Sequence, residues 1–180
     1  MVRINAAGTP WHVSDVSMVV AHPDAVLATM VPKAQDPAEL ASLSRTLPAG
    51  MAIISLIETA AGVLQAAAIC SLAPVVRPAF GSVDLAAQLG VDYNSRYTLS
   101  HVRSASHVRS ALVLAAAAVG CASPIDGVTT NIGDDSQLVA DLEDAAPSAS
   151  RANSASTPGK SLSPTSVSPR PPMKCGGRVR

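Results

Sequence analysis

Short apolar runs and helically spaced stretches alternate along this chain. Val2–Asn5 reads as a clipped strand, followed by the turn Ala7-Gly8-Thr9-Pro10. Trp11 to Ala21 has helical spacing, with Thr9 as N-cap and Pro10 at the first helical position. Ala25–Val31 is a second apolar run, stopped by Pro32, and Asp36-Pro37 opens a helix through about Leu47. Met51–Ile57 is rich in isoleucine without alternation, as expected of a strand buried on both faces. Ala60–Leu72 reads as a helix, Pro74–Phe80 as a fourth strand ending at Gly81, and Val83–Leu89 as a short helix closed by Gly90. A long helix stops at Gly120, Ser123–Thr130 supplies a fifth strand, and Asp134–Ala145 a last helix.

Strand–helix units at this spacing predict parallel strands joined by right-handed crossovers. Five such strands fit either an open doubly wound sheet or part of a (β/α)8 barrel. A complete barrel typically needs ~250 residues, and the chain has 180, so the barrel reading predicts an incomplete one.

Two segments break the pattern. Ser100-His101-Val102-Arg103-Ser104-Ala105 is repeated letter for letter as Ser106-His107-Val108-Arg109-Ser110-Ala111. At 3.6 residues per turn, six extra residues rotate whatever follows by roughly 240°. The extra copy is therefore expected in the loop ahead of the helix, as a local duplication without function of its own. From Pro147 the chain is dense in serine and proline, a composition of disorder. The domain reading is a barrel portion over 1–146 and a Ser/Pro-rich basic tail over 147–180, disordered or frameshifted.

Composition refines this. The apolar share is 48 % but aromatic residues are 2 %, so the core relies on close packing of small side chains, and abundant alanine favours helices wrapped on strands. Net charge is zero, yet every charge after Asp144 is basic: Arg151, Lys160, Arg170, Lys174, Arg178 and Arg180. Such asymmetry can mark an arm for nucleic acid or membrane, and an unstructured end is the reading preferred. Cys70, Cys121 and Cys175 show no CxxC spacing and suggest reduced, incidental cysteines. No signal peptide is visible, and the most apolar run, Ala111–Ala122, falls short of the roughly 20 residues that span a bilayer. A soluble cytoplasmic protein is expected.

The strongest chemical constellation is two acids at strand ends. Glu58 stands where the third strand stops and Asp84 just beyond the fourth. Consecutive parallel strands deliver their C-terminal ends to one side, so both carboxylates would face one mouth. Two hard oxygen ligands with room for water suit Mg²⁺. Arg3 closes the first strand on that side, where its guanidinium could hold a substrate oxygen. Each residue also has a bland reading: Asp84 as a helix cap, Glu58 as an acceptor for helix N–H groups, Arg3 as a solvated charge. Lys33 reads as a surface lysine within reach of the mouth, and Asp134-Asp135 as a cap for the last helix. The histidines His12, His22, His101 and His107 lack metal-binding spacing, and no GxSxG, P-loop or GxGxxG occurs.

At these residues the sequence resembles the citrate lyase beta-subunit-like branch of the HpcH/HpaI aldolase family. The matching segments run in family order: Val2-Arg3-Ile4-Asn5, Trp11 with Asp15, and Val31-Pro32-Lys33. Then come Leu56-Ile57-Glu58-Thr59-Ala60-Ala61-Gly62-Val63, Ala79-Phe80-Gly81-Ser82-Val83-Asp84-Leu85 and Ile125-Asp126-Gly127-Val128. The resemblance covers roughly Val2 to Asp144. It implies a TIM-type barrel with Glu58 and Asp84 as Mg²⁺ ligands and Arg3 with Glu58 as the catalytic and substrate-binding pair. It further implies cleavage of a carbon–carbon bond in a hydroxyacyl-CoA thioester of the citryl-CoA or malyl-CoA type, and assembly as trimers or hexamers. Neither nucleic acid nor membrane is an expected partner.

The departures matter too. The family carries strands and an Asp-Leu-Glu-Asp motif ahead of the Val-Arg-Ile-Asn strand. Asp141-Leu142-Glu143-Asp144 spells the same letters in a helical context, which is read as coincidence. The family's later Leu-Gly-Phe segment is missing as written, although codons for Asn153-Ser154-Ala155-Ser156 can spell it in another frame. A barrel without those pieces is expected to leave sheet edges unpaired and to show little lyase activity. Against the lyase stand a non-catalytic scaffold with a basic arm and an unrelated open-sheet enzyme, the latter requiring Glu58 and Asp84 to lie far apart.

Overall fold

The computed structural model describes residues 1–91 and 99–129, together with Ser136, Val139 and Asn153–Ala155. Its elements in chain order are β1 (Val2–Arg3), α1 (His12–Ala21), β2 (Ala28–Val31), α2 (Pro37–Thr46) and β3 (Ala52–Ile57). They continue with α3 (Ala60–Leu64), α4 (Ala66–Cys70), β4 (Val75–Phe80), α5 (Ser82–Gln88), α6 (Leu99–Ala118), β5 (Asp126–Thr129) and β6 (Asn153–Ala155).

β1 to β4 form one parallel sheet in sequential order. β5 joins β4 through a parallel bridge between Ala79 and Ile125, and β6 pairs parallel with β5. Among the described residues no strand is skipped and the order never reverses. An open doubly wound sheet needs such a reversal, so the sequential arc is that of an incomplete TIM-type barrel. This separates the two readings that periodicity left open.

The register assigns the two faces of the sheet. Val31, Ile53 and Ile57 pack with Val19 of α1, Leu40 of α2 and Ile69 of α4 in the core between strands and helices. Arg3, Met30, Ile54 and Arg77 form one row across β1 to β4 on the opposite, inner face. Glu58, one residue past β3, continues the alternation on that inner side.

Local chemistry explains most boundaries. Asp36 Oδ1 accepts the Ala38 N–H at 2.8 Å and Pro37 opens α2, as the sequence predicts. Thr9 does not cap α1: its hydroxyl donates to the Ala6 carbonyl at 2.7 Å, closing the preceding turn, and the helix starts at His12. The helix expected over Ala60–Leu72 is two short helices meeting at Gln65, whose backbone (φ −98°, ψ 4°) interrupts the helical path.

The duplicated hexad is also placed differently from expectation, for both copies lie within α6. The rotation argument applies only where residues must pack on both sides of the extra turns. Among the side chains described, the buried ones of α6, Val108, Leu112 and Ala116, lie in or beyond the second copy, and the first copy forms the N-terminal part of the helix. The tail likewise contributes one element: three of its small residues form β6 on the free edge of β5, whose backbone groups accept a partner with little regard for side chains. The expected last helix and Asp134-Asp135 lie outside the described residues, except for Ser136 and Val139, both helical. Among the described residues no helix is long and apolar enough to cross a membrane.

Candidate metal centre

β3 ends in Ile57-Glu58-Thr59, and the three side chains divide the work of the junction. Ile57 is fully buried among the helices. Thr59 is extended and caps α3, its Oγ1 accepting the Gly62 N–H at 3.0 Å. Glu58 is thereby released from any capping duty, and its side chain is only 6 % exposed. Its Oε1 accepts the backbone N–H of Lys33 at 2.9 Å, across from the end of β2. Lys33 presents that N–H from a left-handed conformation, φ 49°, uncommon for a residue with a side chain.

Gly81 closes the other side. A Cβ built there would stand 2.4 Å from Glu58 Cβ and 2.9 Å from Oε2, so only glycine permits the approach of the β4–α5 junction to Glu58. Asp84 follows in the first turn of α5. The N-cap of that helix is Gly81, with no side-chain capping bond, so Asp84 is not the cap. It is exposed and makes no hydrogen bond or ion pair among the described residues.

The charges around Glu58 act on it in both directions. Burial raises the Glu58 carboxyl above its ordinary value of 4.5; the Lys33 N–H lowers it, the Asp84 charge raises it, and the charges of Arg3 and Lys33 lower it, with a net upward shift. One further acid, in the first turn of α5, and two cations, at the ends of β1 and β2, thus bear on the Glu58 carboxylate. Gly81, three residues before Asp84, packs directly on Glu58, which is not the wide separation that an unrelated open-sheet enzyme requires.

Arg3 is steadied indirectly. Asp15 Oδ2 on α1 accepts both the backbone N–H and the Nδ2–H of Asn5, at 2.7 Å each, and His12 Nδ1 donates to the Asn5 carbonyl at 2.8 Å. The chain is therefore pinned two residues past the arginine. A cleft of about 320 Å³ opens beside Lys33, lined by Gly8, His12, Val31, Lys33, Asp36 and Leu40 among others; neither Glu58 nor Asp84 borders it.

The donor set fits a hard divalent cation. A nearly buried carboxylate with one oxygen bonded once and the other unbonded among the described residues sits in the field of a second acid, and a cation between them would offset both the burial and the repulsion. Among the described residues no group of three or more His, Cys, Asp or Glu converges, which disfavours a zinc-type set. One or two carboxylates completed by water and substrate oxygens is the usual magnesium arrangement.

Neither the part played by the Lys33 main chain nor that of Gly81 is legible in the residue letters. The Asn5 clamp was equally hidden, though Trp11 and Asp15 stood among the matching segments. Comparison with known proteins gives the family. Residues 1–158 match the HpcH/HpaI aldolase/citrate lyase family model. A citrate lyase subunit beta-like protein of Mycobacterium tuberculosis is 36 % identical over 110 residues, which are 58 % of this chain and 38 % of that protein. The citrate lyase beta subunit of M. tuberculosis complexed with oxaloacetate and magnesium aligns at TM-score 0.71 and 34 % identity, over 86 % of this chain and 66 % of that one. The CitE protein of the same organism with magnesium, acetoacetate and coenzyme A aligns at 0.69 and 32 %, over 86 % and 55 %. This chain thus spans 38 % of the length of the curated relative it matches, and with a family match over most of its residues it belongs to the HpcH/HpaI aldolase/citrate lyase family.

Proposed function

We propose that this chain carries the magnesium site of a carbon–carbon lyase acting on a hydroxyacyl-CoA thioester of the citryl-CoA or malyl-CoA type. Glu58 and Asp84 are the metal ligands, and Arg3 holds a substrate oxygen. The observation that carries the reading is a nearly buried Glu58 just past β3 packed against Gly81, the N-cap of the helix whose first turn holds the exposed Asp84. The M. tuberculosis relatives, solved with magnesium, an oxo acid and coenzyme A, support it.

In such a cleavage the substrate hydroxyl loses its proton, its oxygen becomes a carbonyl, and the electron pair of the broken C–C bond moves toward the thioester. Bound magnesium would supply Lewis acidity toward the substrate oxygens. The chain itself supplies orientation. The Lys33 N–H and the absent Cβ of Gly81 hold Glu58 in one pose, so it needs no rearrangement as charge develops. Arg3, on the inner face of β1, offers a planar fork of donors to a carboxylate or carbonyl oxygen.

The test is direct binding. Calorimetry with Mg²⁺ should show one site per chain that is lost in Glu58→Gln and in Asp84→Asn. Oxaloacetate should bind only when Mg²⁺ is present, and Arg3→Ala should weaken the oxo acid while leaving Mg²⁺ in place. Unchanged Mg²⁺ binding in both carboxamide variants would sink the proposal.

A further inference from the structure

We infer that Gly127, seated by the Asp126–Arg109 ion pair, positions Asp84 through the first residue of α5 and so sets how well the two carboxylates share a cation. The inference rests on the reading of Glu58 and Asp84 as metal ligands.

The Asp126 carboxylate opens β5 with its side chain 1 % exposed. Its Oδ1 accepts the Gly127 N–H at 2.7 Å and the Arg109 Nε–H at 2.8 Å, while its buried Oδ2 has no partner. Two donors on a single oxygen fix the peptide between Asp126 and Gly127. That peptide lies hard against α5: a Cβ on Gly127 would stand 2.6 Å from Ser82 Oγ and 3.1 Å from Ser82 Cβ. Ser82 Oγ is itself buried without a hydrogen-bond partner, so the contact is a steric seat.

Ser82 is two residues from Asp84. The rest of α5 is tied toward Glu58, with Gly81 against its Cβ and Gln88 Oε1 accepting the Ala60 N–H at 2.8 Å. Helix α5 is therefore held on one side by the Glu58 junction and on the other by β5. A short helix moves as a unit, so whatever displaces Ser82 displaces Asp84 relative to Glu58. Arg109 belongs to the second copy of the duplicated hexad, which links α6 to the metal site. Outer groups that orient ligands typically shift metal affinity by about 10–100-fold when altered.

The experiment titrates the full chain with Mg²⁺ by calorimetry and melts each variant without metal. Gly127→Ala should weaken Mg²⁺ binding about tenfold or more, and adding Ser82→Gly, which removes the clashing atoms, should restore it to within about threefold of wild type. Arg109→Lys, which keeps the charge but not the Nε geometry, should weaken Mg²⁺ about threefold or more and secures the test should Gly127→Ala misfold. A lowered melting temperature with wild-type Mg²⁺ affinity in folded Gly127→Ala or in Arg109→Lys overturns the inference alone, as does failure of the double variant to recover. Absence of Mg²⁺ binding by wild type overturns the metal reading and this inference with it.

Discussion

Gly81 and Glu58 are in contact at a distance that no larger residue at 81 could share, with a Cβ there falling 2.4 Å from Glu58 Cβ. Gly81→Ala must push either the carboxylate or α5 away. The expected cost is about 1–3 kcal/mol of stability, the usual range for overpacking a tight site. Urea denaturation measures it, and a change below about 0.5 kcal/mol would show that the junction yields freely.

Glu58 makes the metal-free chain sensitive to pH. Its folded pKa lies above 4.5, chiefly because of burial, so between 4.5 and the raised value the folded state binds more protons than the unfolded one. Stability should therefore fall as pH rises through that window and be fully present below it. Glu58→Gln should flatten this slope. Mg²⁺ affinity should rise with pH over the same window, since the cation competes with the proton. Melting curves from pH 4 to 8, with and without Mg²⁺, decide both points.

Lys33 has two separable roles, an N–H donor and a left-handed backbone. Lys33→Gly keeps the donor and suits φ 49°, so its stability should stay within about 1 kcal/mol of wild type. Lys33→Pro removes the donor to a buried carboxylate and demands φ near −65°, and should cost about 3 kcal/mol or more. Equal losses in the two variants would mean that the lysine side chain, not its main chain, is what matters.

The Asp126–Arg109 pair joins a buried acid to a half-buried guanidinium. Arg109→Ala should cost about 3 kcal/mol, near the lower end for stranding a buried charge because water can partly replace the arginine. Denaturation midpoints of Arg109→Ala and Asp126→Ala check the pair.

Deleting one hexad gives the same sequence whichever copy is removed. Because the described buried residues of α6 lie in or beyond the second copy, the shortened chain should keep the arginine–aspartate pair and lose only about 1 kcal/mol. A loss of several kcal/mol would place the first copy in the packed core.

Where side-chain chemistry decides a structure, the chain announces it. Asp36-Pro37 spells a cap and a helix start, Ile53 and Ile57 of β3 spell burial against the helices while Ile54 on the inner face is only half-buried, and Glu58 and Asp84 follow neighbouring strands. What stayed hidden is mostly main chain. The donor from Lys33, the break at Gln65 and the close approach of Gly81 and Gly127 depend on where two distant backbones pass each other, and the residue letters carry no record of that passage. The hexads misled for a related reason: a helix lengthened ahead of its packed residues keeps their register, whereas the same insertion between them would not.

Sequential strand order has a consequence for how such a site survives change. Both acids come from a single β3–helix–β4 step, and their supports come from β1, β2 and β5 on either flank. The proposed metal corner is thus a local inheritance of a few neighbouring units, able to persist while strands are gained or lost at the far rims of the arc.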